Sequence, residues 1–346
     1  MADAPVTIMD IAREMGLSKT TVSDALVGSG RVSEATRRKT RLVAERMGYV
    51  SNRAARSLRR NETGALGLYI PGDVRNLSFY MELAFGAADE SAALGLDLTL
   101  IGRSLTGDNR ARPPQVDGII VVDPLAGDAA LESLFAANRP VVTVGRMLES
   151  DTPRTAAEIE IDHYGMATAL LSAIREAGGG RPALVALDQK VDSSYVFDVS
   201  RAYQQWCSRA DVAPLTTRLS ATPTDTELAE AIREIVGCPE IDTLVFAAQG
   251  LAARSVAVLR SLGFQVGSDF HLGTLVGDPA SELNNPDIHA VDLRPREFGH
   301  AAVTFLHEII AGQASVNDRR THQARLVAAG GQATRAASST APEPHR

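Results

Sequence analysis

Along the first sixty residues the apolar positions recur at three- and four-residue spacing in short stretches. Ile8, Ile11, Ala12 and Met15 share one helical face. Thr7, with Asp10 three residues on, forms a capping pair ahead of them, and Gly16 supplies the stop. Ser18 caps a second predicted helix, 19–27, in which Val22 and Leu26 lie four apart. Gly28, Ser29 and Gly30 read as a turn, and Ser33 caps a third helix, 34–47, ended by Gly48. Two short helices joined by a tight glycine turn and followed by a supporting third make the helix-turn-helix pattern.

From Gly64 the texture changes. Apolar runs at 65–70, 98–101, 118–122, 141–144, 158–161, 184–187, 244–246 and 290–293 read as buried strands. Helical stretches stand between them at 79–94, 164–177, 226–236, 251–262 and 295–311. Such alternation predicts β-α-β units and mostly parallel sheets. Ligands on these sheets bind at the carboxyl ends of strands, at a topological switch point. From about Gly330 the chain is rich in Ala, Ser, Thr and Pro, which predicts a disordered tail over 331–346. No repeat of 20–50 residues and no terminal leucine heptad is present.

Charge sharpens this division. Residues 1–60 carry twelve basic and six acidic side chains, whereas the remainder carries 23 basic and 36 acidic. A basic head on an acidic body predicts that the head meets a polyanion. With 346 residues, 45% hydrophobic and 22% charged, the chain is a folded globular protein of two or three domains. Only Cys207 and Cys238 are present, which excludes a disulfide framework and a four-cysteine zinc site. No apolar run is long enough to span a bilayer and the N-terminus lacks a signal-peptide core, so a cytoplasmic protein without membrane contact is expected.

The segment from Val6 to Leu58 carries, in order, the blocks DIA, SKTTVS, GRVSEATR, GY and NRAARSL. In these it resembles the headpiece of the LacI/GalR (lactose-repressor/galactose-repressor) family of bacterial transcription regulators. The body follows that family more loosely, through GLYIP, an N-x-x-FY-x-E-x-x-x-G block at 76–86, VDGIIV, RPVVTVGR and ID-x-x-G at 161–165. The resemblance implies a head over 1–50 and a hinge helix with linker over 51–63. An effector and dimerisation core over 64–330 follows, its two doubly wound parallel-sheet subdomains built like periplasmic binding proteins. The first subdomain is expected at about 64–162 and 293–322, the second at about 163–292 and 323–330.

For the head, Lys19, Thr20, Ser23 and Asp24 are the expected base-reading positions, near the helix end that enters the major groove. Lys19 can donate to guanine or phosphate, and Thr20 can touch a thymine methyl. Asp24 stands where many relatives carry Arg. It either accepts from a cytosine amino group or plays a structural part, orienting Lys19 or Arg31. Thr7, Ser18, Thr21 and Ser33, at helix starts, are expected to meet phosphates. Asn52, Ala55, Arg56 and Leu58 match the family's hinge, which is too short to be helical alone. There Leu58 would wedge into a central base step and kink the duplex. A pyrimidine–purine step deforms most easily and is expected at the operator centre.

For the cleft, the positions matching the family are Phe79, Tyr80, Arg201 and Asp278, with Asp123, after the strand at 118–122, as a further candidate. The resemblance implies a small-molecule effector, a sugar or related metabolite, although the chain departs from the family. Ala247-Ala248-Gln249-Gly250 stands for the usual A-N-D block, Val276-Gly277-Asp278 is a displaced remnant of another, and Gly179-Gly180-Arg181-Pro182-Ala183 replaces G-H-R-R-I. Tyr195, Tyr203 and Trp206 are core aromatics or shape that side of the cleft. No nucleotide-binding, hydrolase or metalloprotease motif is found, and His300 and His307 are too far apart along a helix to share a metal by themselves. Neither cofactor nor metal nor catalysis is expected. The overall expectation is a homodimeric repressor on near-palindromic double-stranded operator DNA. The competing reading is a sugar receptor with a vestigial head.

Overall fold

A computed structural model of the chain describes residues 6–27, 30, 32–49, 63–72, 77–102, 114–125, 128–148, 156–188, 193–278, 285–330 and 333–334. Two compact units result, residues 1–63 and 64–346.

The first unit holds α1 (Ile8–Met15), α2 (Lys19–Val27) and α3 (Glu34–Arg46). Ile11, Ala12, Val22 and Ala44 form its buried centre, with Leu26, Val43, Met47 and Tyr49 packed around it. The helix starts behave as their sequences dictate. Ser18 Oγ accepts from Thr21 N at 3.0 Å, and Ser33 Oγ accepts from Thr36 N at 3.2 Å. At α1 the Thr7 amide and hydroxyl both donate to Asp10 Oδ2, at 2.9 and 2.6 Å.

The second unit contains two sheets. Strands β1 (Ala65–Tyr69), β2 (Asp97–Ile101), β3 (Gly118–Val122), β4 (Val141–Val144), β5 (Ala157–Glu160) and β11 (Arg319–Thr321) form the first, ordered β11-β5-β4-β3-β1-β2 and parallel throughout. Strands β6 (Pro182–Leu187), β7 (Leu215–Leu219), β8 (Thr243–Phe246), β9 (His271–Thr274), β10 (Ile288–Asp292), β12 (Arg325–Val327) and β13 (Ala333–Thr334) form the second, ordered β13-β12-β10-β9-β8-β6-β7. Only β12 runs against the others there, so its pairings with β10 and β13 are antiparallel. Both sheets repeat one winding, with its switch points between β1 and β3 and between β6 and β8.

The helices are α4 (Ser78–Ala93), α5 (Ala129–Phe135), α6 (His163–Glu176), α7 (Ser194–Ala210), α8 (Asp225–Val236), α9 (Leu251–Ser261) and α10 (Pro295–Ile310). α4 and α10 cross at glycines. A Cβ on Gly86 would stand 1.9 Å from Arg296 O, and one on Gly299 2.0 Å from Leu83 O, so the crossing admits only hydrogen at both positions. α6 begins at the ID-x-x-G block, where Asp162 Oδ1 caps Gly165 N at 2.8 Å.

Several elements differ from the pattern-based reading. β7 alternates exposed and half-buried residues at a sheet edge, and β9, His-Leu-Gly-Thr, is buried yet half polar, so neither shows an apolar run. The helix α7 buries Ser194, Asp198, Val199, Ala202, Tyr203, Trp206 and Cys207 at helical spacing, but polar and β-branched residues blur the stripe. α5 is too short to establish a period. Residues 333–334 add a strand within the expected tail, and 335–346 lie outside the described residues.

Candidate functional site

On the head, Lys19 and Thr20 are exposed in the first turn of α2. Ser18 and Thr21 flank them, their hydroxyls 2.8 Å apart. Ser23 is different: it is 5% exposed beside Val22 and Ala25, on the flank pressed into the bundle, so it is not presented to a base edge. Asp24 lies against the turn that follows α2; a Cβ on Gly30 would come within 2.7 Å of its carboxylate. Arg37 Nη2 donates to Gly30 O at 3.3 Å, pinning the same turn. That placement favours the structural alternative for Asp24, while Arg31 lies outside the described residues. Thr7 has both its donors on the Asp10 carboxylate. Those hydrogen bonds, the side-chain one first, hold Asp10 below its ordinary range, so a phosphate there would face a negative charge. Ser33 is exposed at the start of α3. The hinge residues Asn52, Ala55, Arg56 and Leu58 lie outside the described residues.

In the body, both switch points open on one cavity of about 110 Å³. The first sheet supplies Phe79 and Tyr80 beyond β1 and Asp123 and Leu125 beyond β3; the second supplies Leu187 at the end of β6, Ser193 and Tyr195 beyond it, and Ala247, Ala248 and Gln249 beyond β8. Tyr80 and Asp123 are directly joined: the tyrosine hydroxyl donates to Asp123 Oδ2 at 2.6 Å. Phe79 packs edge-on to Tyr80 at 5.0 Å between ring centres. Asp123 adopts φ 43°, an uncommon backbone conformation for a residue with a side chain. Burial lifts its carboxyl to about 6, against the pull of the Tyr80 hydrogen bond. Burial lifts the Tyr80 and Tyr195 hydroxyls well above the ordinary range, with Asp123 adding to both. His163, edge-on to Tyr195 at 4.8 Å, is pushed down to about 4 by burial and is neutral at physiological pH.

Gln249 was not singled out from sequence, yet it spans the two sheets' loops. Its Oε1 accepts from Phe79 N at 3.1 Å and its Nε2 donates to Gly277 O at 3.4 Å. Tyr195 likewise donates to Ala247 O. The switch-point rule, applied to β6 and β8 as to β1 and β3, points to these loops.

Arg201 and Asp278 are not in this cavity. Asp278 sits beside Gly250, Ala252 and Val276. Arg201 lines a separate, polar groove of about 990 Å³, its guanidinium 4.8 Å from the Tyr164 ring centre and 3.8 Å from Asp198 Oδ1. In that groove Arg146, also missed from sequence, donates to Asp198 at 2.8 Å and faces Glu160 at 3.5 Å. Tyr203 and Trp206 are core, at 1% and 7% exposure, and the Tyr203 hydroxyl bonds both Pro182 O and Leu215 O. Among the described residues no group of three metal-ligating side chains converges, and no helix is long and apolar enough to cross a membrane.

A helix-turn-helix head and an α/β body with one cavity at paired switch points define a ligand-responsive, DNA-binding transcription regulator. Residues 7–52 match the family described as "Bacterial regulatory proteins, lacI family", and residues 166–330 the "Periplasmic binding protein-like domain". The chain thus carries a LacI-family helix-turn-helix domain and a periplasmic-binding-protein-like domain, and it is similar to LacI-family regulators. The HTH-type transcriptional regulator RafR of Escherichia coli is 25% identical over 320 residues, covering 89% of this chain and 93% of that protein. Catabolite control protein A of Priestia megaterium is 30% identical over 187 residues, 52% of this chain and 55% of that relative, so here the match spans about half its length. Among solved structures, the Lac repressor dimer bound to operator and the anti-inducer ONPF shares the fold at TM-score 0.72 and 20% identity, over 95% of this chain and 98% of that one. The CelR–cellobiose complex does so at TM-score 0.65 and 22% identity, over 94% and 100%.

Proposed function

We propose that this protein is a cytoplasmic, non-enzymatic repressor. It binds a near-palindromic operator as a homodimer and changes DNA affinity when a small molecule enters the cavity between its two sheets. The carrying observation is the head itself: three capped helices around one small core, with Lys19 and Thr20 exposed on the first turn of the second. The dimer has support in the body. Met81 and Phe85, one helical turn apart on α4, are each 48% exposed, and Leu100 on the edge strand β2 is 56% exposed. Leu98 and Leu100 share a face of β2, and Leu98 packs into the core beside α4, so Leu100 extends an apolar surface outward. A sugar or related metabolite is the effector class that the family resemblance implies; CelR is a relative in complex with cellobiose.

The test is selection of bound fragments from a genomic library, followed by a salt titration on the selected site. Affinity should fall linearly in log salt, and Lys19→Ala should weaken binding about tenfold to a hundredfold. Leu58→Ser should weaken it further and reduce DNA bending. Phe85→Asp should yield monomers in sedimentation and lose the paired half-site footprint. A wild-type chain that retains no duplex at low salt would leave the vestigial-head reading standing.

A further inference from the structure

The cavity between the sheets has a chemistry that sets its occupant apart. It is lined mainly by apolar and aromatic side chains, among them Phe79, Tyr80, Tyr195 and Phe298. Most polar groups on its wall already have partners within the protein. The Tyr80 hydroxyl is on Asp123, the Tyr195 hydroxyl on Ala247 O, and the Gln249 amide is engaged at both ends. Ser193 Oγ caps α7 by accepting from Val196 N. A polyol entering here would leave its hydroxyls short of partners, a cost paid for each buried polar group.

Asp123 is the exception. One carboxylate oxygen takes the Tyr80 hydrogen bond, and the other lies beside Gly145, where an added Cβ would stand 3.3 Å away. None of the described residues lining the cavity is a lysine or an arginine, and the lining histidine, His163, is held neutral by burial. A carboxylate in an apolar enclosure is costly unless a cation accompanies it. Aromatic faces around it add attraction for a cation. Its left-handed backbone, φ 43°, is the kind of local strain that gathers at ligand-binding positions. Size narrows the class further. An apolar cavity of roughly 150 Å³ holds benzene with its six carbons, so about 110 Å³ suits a molecule of about four or five non-hydrogen atoms.

We propose that the effector is a compact organic ammonium, a short alkyl amine whose charged head pairs with Asp123 while its body fills the aromatic cavity. This rests on the reading of the cavity as the effector site and narrows the metabolite class that enters it.

The test is titration calorimetry of the full-length protein near pH 7.5 with four probes: n-propylammonium, n-butylammonium, the neutral analogue n-butanol, and glucose. At least one ammonium should bind in the micromolar to millimolar range, and n-butylammonium at least tenfold more tightly than n-butanol. Asp123→Asn, nearly isosteric, should lower ammonium affinity at least tenfold and bring the two butyl probes level. Thermal melts of the variant establish that it is folded. Absence of ammonium binding overturns the proposal, as does n-butanol binding equally well, or ammonium affinity unchanged in Asp123→Asn. Retention of the selected DNA fragment is measured in parallel. Glucose releasing or recruiting that fragment while the amines do nothing would sink the ammonium and leave the regulator standing; absence of any DNA retention would sink the regulator reading instead.

Discussion

Two hollows share Ile161, between β5 and α6, as a wall, yet they are opposites. The outer groove is some nine times larger and rich in charge, but its charges satisfy one another: Arg146 lies between Asp198 and Glu160, and Arg201 pairs with Asp198 while stacking on Tyr164. The inner cavity is small and apolar, and its carboxylate faces no arginine or lysine among the described residues. Size and polarity alone would choose the groove. Asking which charge lacks its counterpart among the described residues chooses the cavity, because an unpaired buried charge raises the free energy of the empty fold and a ligand can relieve it.

The largest consequence falls on Asp123. Its carboxyl titrates near 6 in the folded chain, against an ordinary value of 3.8. The folded state therefore holds the proton more tightly than the unfolded state. Stability is greatest below about pH 4, falls as pH rises through 6, and is level beyond. Asp123→Asn removes that loss, so urea melts should show the variant more stable by about 3 kcal/mol near pH 8 and no more stable near pH 4. A destabilised variant at pH 8 would mean that the carboxylate is compensated after all.

Next comes the groove. Removing Arg146 leaves Asp198, with a side chain 11% exposed, short of its main partner. Arg146→Ala should cost roughly 2 kcal/mol in the same melts and leave n-butylammonium affinity within about twofold. The smallest effect is expected at Arg201, whose side chain is half exposed. Arg201→Ala should change stability by less than about 1 kcal/mol and effector binding not at all. A large loss of effector affinity from Arg201→Ala would erase the distinction between the two hollows.

The sequence carried much of this arrangement, unevenly. The head's helices were legible because caps, glycine stops and three-to-four spacing all agree within a few residues of one another. Strands such as β3, buried along its whole length, announced themselves as unbroken apolar runs. β9 did not, since His271, Gly273 and Thr274 are buried by neighbours rather than by their own hydrophobicity. Tyr80 could be nominated because it matches a family position, and Asp123 because it follows a buried strand. Arg201 lies six residues beyond Tyr195 on α7, about 240° around the helix, so the two face different hollows, which spacing to a family motif does not reveal. Ser23, on a helix only nine residues long, is buried in the head rather than exposed beside Lys19 and Thr20.

By itself, then, the order of residues determined the capped helices, the alternation of strand and helix, and the division into a basic head and an acidic body. All of these follow from interactions between residues close in the chain or from simple sums of charge. Tertiary structure alone decided that Tyr80, Asp123, Tyr195 and Gln249, drawn from two sheets and separated by up to 169 positions, share one enclosure. It also decided that Arg201 does not. Desolvation and charge pairing depend on distances through space, and those exist only once both sheets have folded and their loops have met.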